Sequence, residues 1–104
     1  MIIIYTVFSS KKEAQKIIGA LIDSRLIACG NCWPIESCYI WQGKKEKATE
    51  FAGFLKTTTK NYKKVEKLIL QRHSYKAPCI VRIRPQSVNM SYLSYLFYLS
   101  NSLK

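Results

Sequence analysis

The sequence predicts an α+β domain of the ferredoxin-like type, a βαββαβ sandwich with an extra C-terminal helix. Two observations predict this fold. Extended and helical hydrophobic patterns follow one another in the order strand, helix, strand, strand, helix, strand, helix. The 104 residues fit a single domain, 1–104, because no Pro-, Gly- or Ser-rich linker divides them and 48% of them are apolar, which is enough to form a core.

The first two elements are a strand and an amphipathic helix. Residues 2–7 form a β-branched run that is typical of a buried strand. Ser9 or Ser10 caps the helix that follows, which should end at about residues 23–25. Its apolar face is predicted from helical spacing and consists of Ala14, Ile17, Ile18, Leu21 and Ile22.

A long hairpin follows this helix. An extended stretch begins at residues 26–29, is interrupted at Pro34 and continues through residues 39–41 to a turn at residues 42–45. As a strand, residues 47–58 would span roughly 35–40 Å at about 3.3 Å per residue. A domain of this size has a radius of gyration of only about 13 Å. Part of the hairpin should therefore project, and its edges stay unpaired unless a neighbouring chain covers them.

The second half of the chain predicts a helix, a strand and a final helix. The middle helix turns Tyr62, Val65, Leu68 and Ile69 inward and Lys60, Lys63, Lys64 and Lys67 outward. Pro78 ends any continuation, and residues 79–84 alternate as a strand does. Asn89 caps a last helix, whose apolar side chains include Tyr92, Leu93, Leu96, Phe97 and Leu99.

The charge balance restricts the possible functions. Seventeen basic residues against six acidic ones give a net charge of +11. So few carboxylates make an acid/base pair or an all-oxygen Mg²⁺ or Ca²⁺ site hard to assemble, and a single histidine excludes a three-histidine zinc site in one subunit. The basic surface favours anionic partners, nucleic acid first among them. An ordinary solvated lysine-rich surface is equally compatible with this composition.

The apolar runs and the cysteines predict a cytoplasmic protein. Residues 1–5 are too short a run for a signal-peptide core, and no stretch approaches the roughly 20 apolar residues that cross a bilayer. In the cytoplasm the four cysteines should be reduced thiols. Cys29 and Cys32 have C-x-x-C spacing, but in a strand they point to opposite faces and cannot share a metal. We expect these two residues, like Cys38 and Cys79, to be small, buried and inert.

Five motifs in register give the chain a resemblance to a known family. They are residues 28–31 (ACGN), 37–43 (SCYIWQG), 55–58 (LKTT), 73–78 (HSYKAP) and 89–92 (NMSY). In order and spacing they resemble the CutA divalent-cation-tolerance proteins, from the first strand to Tyr95. This resemblance implies a non-enzymatic subunit of a tight homotrimer, similar in shape to the PII signalling proteins. It also implies a link to tolerance of divalent metals, copper above all, or to small-ligand signalling.

The trimer that the resemblance implies would create clefts between subunits. Lys56, Trp41, Tyr39 and Tyr75 are candidate ligand-binding residues of such a cleft, in which Lys56 would recruit a small anion. The alternative for Trp41 and Tyr39 is simple packing across the trimer interface, and the alternative for Lys56 is an ordinary exposed strand lysine. His73 ends the second predicted helix and is the candidate ligand for copper or another divalent cation, with further ligands from a thiol, a carboxylate or other subunits. The alternative for His73 is a hydrogen-bonded structural role.

The sequence departs from the family pattern at informative positions. The usual proline after the motif histidine is Ser74, and Lys76 replaces an acidic or amide residue. Tyr95 replaces a tryptophan, Val88 a glycine, and Thr6 the cysteine that some members carry. The loss of a thiolate and the gain of an ammonium group both disfavour a divalent cation.

Two other classes of function remain to be weighed. Ferredoxin-like sheets can bind RNA on their open face, so a basic nucleic-acid or anion-binding module is the alternative. The basic-Gly-aromatic signature of RNA-recognition strands is missing, which makes nucleic acid the less favoured partner. A Ser-His-acid pairing and a glycine-rich phosphate loop are also missing from the local sequence context, so we predict a protein that is not an enzyme.

Overall fold

The computed structural model describes residues 1–102, in which four antiparallel strands form one sheet. The elements are β1 (Ile2–Phe8), α1 (Lys11–Asp23), β2 (Cys29–Trp41), β3 (Lys44–Thr57), α2 (Tyr62–Arg72), β4 (Ile80–Ile83) and α3 (Met90–Ser102), with a 3₁₀ turn over Thr59–Asn61. The strand order is β2-β3-β1-β4, which is the interleaved order of a ferredoxin-like sheet. The predicted fold class and element order are confirmed.

The core lies between one face of the sheet and the helices α1 and α2. Side chains of β1 alternate strictly, so that Ile2, Ile4 and Phe8 are buried against the helices. They meet the inward faces of the two helices, which include Ala14, Ile17, Leu21, Val65 and Ile69. The alternate side chains of each strand lie on the opposite face of the sheet, which we call the open face.

Local chemistry fixes the ends of α1 and the tip of the hairpin. Ser10 is the N-cap of α1, and its hydroxyl accepts a hydrogen bond from the Glu13 N–H at 3.1 Å. At the hairpin tip, Gln42 and Gly43 have φ values of 50° and 76°. Positive φ at both positions gives the two-residue turn whose twist matches the adjoining strands.

The hairpin projects beyond the four-stranded part of the sheet. β1 pairs with β3 only from Phe51 to Thr57, whereas β2 pairs with β3 along its whole length. Residues 35–50 therefore form a two-stranded extension, which we call the ribbon. The molecule is 46 Å long, and its radius of gyration of 14.6 Å exceeds the roughly 13 Å of a compact chain of this length. The predicted projection is confirmed.

Three boundary predictions are wrong. The hairpin turn occupies residues 42–43 and not 42–45, and the strand after it is Lys44–Thr57 instead of 47–58. Pro34 does not interrupt β2 but pairs with Phe51 inside a continuous ladder. β2 is an edge strand, where a proline without an N–H can be tolerated because one side of the strand has no sheet partner. The last strand is also shorter than predicted, Ile80–Ile83 instead of 79–84, since its register with β1 covers only four residue pairs.

The prediction that all four cysteines are buried is wrong as well. Cys38 and Cys79 are exposed and Cys29 and Cys32 are half-buried, all four as free thiols. Cys38 lies in the ribbon, which no helix covers, and Cys79 lies just before β4 begins. Cys29 pairs with Lys56 and Cys32 with Gly53, so the two side chains lie on opposite faces, as predicted.

Helix α3 lies at the end of the sheet where β2 begins and β3 finishes. Leu96 is buried, and together with Leu99 it lines a small cavity against residues 25–28 and Thr57. Several aromatic side chains of α3 remain exposed, namely Tyr95, Phe97 and Tyr98. Within residues 1–102, none of the helices has both the length and the apolar character to traverse a bilayer.

Candidate functional site

A hydrogen-bonded group of polar side chains lies where β1 ends, α1 begins, α2 ends and the ribbon leaves the sheet. We call it the polar cluster, and its members are Ser9, Glu13, Glu50, His73, Ser74 and Tyr75. Three of its members, His73, Ser74 and Tyr75, belong to one of the motifs quoted above. The cluster is therefore where the predicted metal ligand and one of the predicted cleft residues meet.

His73 uses both ring nitrogens within the chain. Its Nε2 lies 2.7 Å from the carbonyl oxygen of Val7, and its Nδ1 accepts the Tyr75 N–H at 3.0 Å. A carbonyl only accepts, so Nε2 carries the proton and the ring is the neutral tautomer. The side chain is fully buried, and its ring stacks on Phe8 with centroids 5.8 Å apart. A metal on His73 would have to displace one of these two hydrogen bonds.

Glu13 joins α1 to the segment after α2. Its carboxylate accepts bonds from the Ser9 N–H at 2.9 Å, the Ser9 hydroxyl at 3.0 Å and the Ser74 N–H at 2.9 Å. Burial raises the pKa of Glu13, but the hydrogen bonds from Ser9 and Ser74 outweigh burial and hold the pKa below its ordinary value. Glu13 is therefore an ionised acceptor whose donors come from two segments far apart in sequence.

Tyr75 ties this cluster to the root of the ribbon. Its hydroxyl donates to the Glu50 carboxylate at 2.6 Å, and Glu50 is the last residue of β3 before the strand gains β1 as a second partner. The pKa of Tyr75 is raised well above its ordinary value, first by burial, then by the hydrogen bond to Glu50 and its charge, and also by Tyr39. The Tyr75–Glu50 bond thus fastens the ribbon to the segment after α2.

A single subunit brings together only part of the predicted cleft. Tyr39 lies close enough to Tyr75 to act on its pKa, but Trp41 is at the ribbon tip with 62% of its surface exposed. Lys56 pairs with Ile3 and Cys29 at the other end of the sheet. It is six residues along β3 from Glu50, or roughly 20 Å at about 3.3 Å per residue. A cleft that unites all four residues needs more than one subunit and stays a prediction.

The described residues do not fit a divalent cation within one subunit. His73 offers no uncommitted ring nitrogen, and the Glu13 carboxylate already accepts three hydrogen bonds. Thr6, which stands in place of a cysteine found in some family members, is buried with a hydroxyl that has no partner in the described structure. Among residues 1–102, no group of three or more His, Cys, Asp or Glu side chains is arranged to hold a metal.

Sequence reasoning missed several residues of functional interest. The signal for Glu13 is the spacing Ser10-x-x-Glu13, a capping-box pattern that marks Glu13 as a hydrogen-bond acceptor at the start of α1. Glu50 had no local signal, because its partner Tyr75 is 25 residues away. An aromatic ladder on the open face was also missed, in which Phe54 packs edge-on against Trp33 at 5.0 Å and against Tyr5 at 6.1 Å.

The fold and the polar cluster define a class of protein, namely ferredoxin-like subunits with a projecting hairpin and a histidine fixed at the end of the second helix. Comparison with known proteins defines the family. A model of the CutA1 divalent ion tolerance proteins matches residues 2–98. The chain belongs to this family, as its motifs suggested.

Relatives and solved structures agree with this assignment. The chain is 38% identical over 96 residues to the divalent-cation tolerance protein CutA of Pyrococcus horikoshii, covering 92% of this chain and 94% of the relative. It is 41% identical over 80 residues to the CutA of Archaeoglobus fulgidus, covering 77% and 78%. A structure from Archaeoglobus fulgidus, described as a periplasmic divalent cation tolerance protein CutA, superimposes with a TM-score of 0.92 at 35% identity, covering 96% of this chain and 99% of that one.

Proposed function

We propose that the protein is a non-enzymatic homotrimer that acts in the tolerance of divalent cations, copper first among them. Family membership supports the link to divalent cations, because the relatives are named for tolerance and not for a reaction. The observation that carries the assembly is the ribbon, which the subunit cannot bury by itself.

The ribbon exposes both backbone edges and large apolar side chains. No described residue pairs with the outer edge of β2, nor with the free edge of β3 from Lys44 to Glu50. Ile40 and Trp41 are 70% and 62% exposed. Open strand edges with exposed apolar side chains invite pairing with another chain. The open face continues this surface with Trp33, Val81 and Ile83, all exposed.

The assembly is tested by size-exclusion chromatography with light scattering. Three subunits of 12.0 kDa give about 36 kDa. We expect Ile40→Asp, in the ribbon, to shift the protein towards smaller species. Leu70→Asp is the matched control, because Leu70 on α2 is also exposed, at 52%, but lies outside the ribbon. A wild-type monomer at micromolar concentration would contradict the proposal, and a dimer would contradict its stoichiometry.

Cation binding by this trimer would draw ligands from more than one subunit. The predicted role of His73 as a ligand requires that Nδ1 release the Tyr75 N–H or that Nε2 release Val7. Titration of the reduced wild-type protein and of His73→Ala with Cu²⁺ and Zn²⁺, followed by calorimetry, tests this role. Weaker binding by the variant supports it, and equal affinity removes His73 from the site. Light scattering on both samples separates lost ligands from lost assembly.

The cytoplasm is the compartment that we propose. All four cysteines are free thiols, two of them exposed, which suits a reducing environment. Cell fractionation with a compartment marker for each fraction tests this location. Recovery with periplasmic or secreted markers would overturn it.

A second candidate function has one observation in its favour. The aromatic ladder of Tyr5, Phe54 and Trp33 crosses β1, β3 and β2 on the open face of a protein with a net charge of +11. Aromatic side chains in this place can stack RNA bases. Trimerisation through the open face would cover the ladder, so the two functions compete. Binding of single-stranded RNA that persists near physiological salt would favour the second candidate, and its loss there would dismiss it.

A further inference from the structure

Lys56 lies on the open face beside α3, at the end of the sheet opposite the ribbon. Its side chain is half-buried between cross-strand neighbours Ile3 and Cys29. The Nζ atom lies 5.6 Å from the ring centroid of Tyr92, which α3 supplies. No carboxylate of residues 1–102 lies within 4.0 Å of this ammonium group. Lys56 is therefore a partly desolvated charge without a counter-ion among residues 1–102.

A second polar group without a partner lies at the same place. The hydroxyl of Tyr92 is buried beside the Cys29 thiol, and it makes no hydrogen bond of ordinary length with any group in the described part of the chain. Burial raises the pKa of Tyr92, and the neighbouring Cys29 thiol adds to this. The hydroxyl is thus a protonated donor, and a buried donor that is left unpaired is unfavourable.

The groups around this point are rich in donors and poor in acceptors. The Lys56 ammonium donates three hydrogen bonds and accepts none, and the Tyr92 hydroxyl has its proton to donate. Asn31 follows Cys29 on the same face of β2, and its Oδ1 accepts the Cys29 thiol at 3.9 Å, so its amide N–H₂ remains as a donor. The chemical class that complements a positive charge and several donors is an oxyanion.

We propose that Lys56 and Tyr92, with Asn31 beside them, bind a small oxyanion, a carboxylate or a phosphate group, where α3 crosses the start of β2 and the end of β3. The site differs from the predicted cleft, because Lys56 takes its partners from its own subunit and not from Trp41 and Tyr75. It rests on the proposed function in one respect. A neighbouring subunit over the open face would exclude water and strengthen the charge interaction.

Titration of the assembled protein with inorganic phosphate and, separately, with acetate tests the site by calorimetry. Lys56→Met removes the charge and keeps the stem, and Tyr92→Phe removes only the hydroxyl. Lys47→Met is the matched control, because Lys47 is also a β3 lysine opposite a β2 cysteine, Cys38, but is exposed in the ribbon. We expect tenfold or greater weakening in Lys56→Met, a smaller loss in Tyr92→Phe and no change in Lys47→Met.

Each outcome decides the matter. Binding of either anion that depends on Lys56 and Tyr92 supports the site, and the better probe identifies its class. Absence of binding overturns the site. Equal weakening in Lys47→Met and Lys56→Met also overturns it, because it shows adventitious attraction of the anion to a basic surface. Light scattering on the same samples keeps this inference separate from the proposed function. A trimer that binds neither anion refutes the oxyanion site alone, whereas a monomeric wild type refutes the assembly.

Discussion

The body of the molecule and the ribbon are built from the same two strands but are stabilised differently. In the body, β3 has strand partners on both sides and a helix layer on one face, and Leu55 is completely buried. In the ribbon, β3 has one partner strand and no helix layer, and Ile40 is 70% exposed. The body is therefore stabilised by its own hydrophobic core, whereas the ribbon is stabilised within the subunit mainly by the hydrogen bonds between β2 and β3.

This difference shows that strand propensity and burial are separate properties of a sequence. The Thr- and Phe-rich run that predicts β3 is continuous, yet only its second half meets a core. A two-stranded ribbon is marginally stable in water by itself. Within one subunit, the ribbon therefore has few contacts that order it besides its own strand pairing.

The largest expected effect tests the contrast directly. Leu55→Ala should lower the free energy of unfolding by about 2–5 kcal/mol, because it leaves a cavity in the core. Ile40→Ala in the ribbon, measured at a protein concentration low enough to dissociate the subunits, should change the free energy of unfolding by no more than about 0.5 kcal/mol, since Ile40 buries little surface within its own subunit. Guanidinium denaturation followed by circular dichroism measures both. Equal losses in the two variants would break the comparison.

The next effect concerns the junction between the two regions. Tyr75→Phe leaves the buried Glu50 carboxylate without its 2.6 Å donor and should cost about 1–3 kcal/mol. Tyr39→Phe is the control, because Tyr39 is exposed in the ribbon. Hydrogen exchange should show faster opening around Glu50 only in Tyr75→Phe. Unchanged exchange there would mean that the bond does not fasten the ribbon.

A smaller effect is expected at the start of α1. Ser10→Ala removes the cap of the Glu13 N–H and should cost about 1 kcal/mol. Ser24→Ala, at the other end of the same helix, is the control and should have little effect. Thermal unfolding measures the loss of stability in both variants. Hydrogen exchange locates it: unchanged exchange in the ribbon would place the loss in the body.

The smallest effect is a dependence on pH. Glu13 has an ordinary pKa of 4.5 in the unfolded chain and a lower one when folded. Its contribution to stability is complete above the unfolded pKa and is lost as the pH falls through the folded pKa. Between pH 7 and pH 3, the wild type should lose more stability than Glu13→Gln. Parallel stability curves for the two proteins would show that the carboxylate has no such role.

The sequence predicts the body better than the site, and particular residues explain why. Alternation in β1 and helical spacing in α1 are local patterns, and both elements form where expected. The ends of β4 depend on where it stops pairing with β1, which has seven residues but pairs with β4 at only four of them, and no local pattern records this. The continuity of β2 through Pro34 depends on its place at the edge, a property of the whole sheet.

The candidate sites depend still more on tertiary contacts. His73 was predicted either as a metal ligand or in a structural role, and its geometry depends on the Val7 carbonyl, 66 residues away. Lys56 was selected as an isolated charge in a strand, but its partner Tyr92 comes from a helix whose position the hydrophobic pattern does not specify. The residue types were therefore predictable, whereas their neighbours were not.

The Tyr75–Glu50 bond has a mechanical consequence. From Glu50 to Lys44, where β3 begins after the turn, the ribbon is roughly 20 Å long, at about 3.3 Å per residue, and the Tyr75–Glu50 bond lies at its base. A pivot of about 10° at that point would swing Trp41 by roughly 3 Å over such a length. A small rotation of the ribbon at its base, beside His73, thus becomes a larger displacement of the tip. In an assembly, that displacement would change the contacts of the tip with a neighbouring copy.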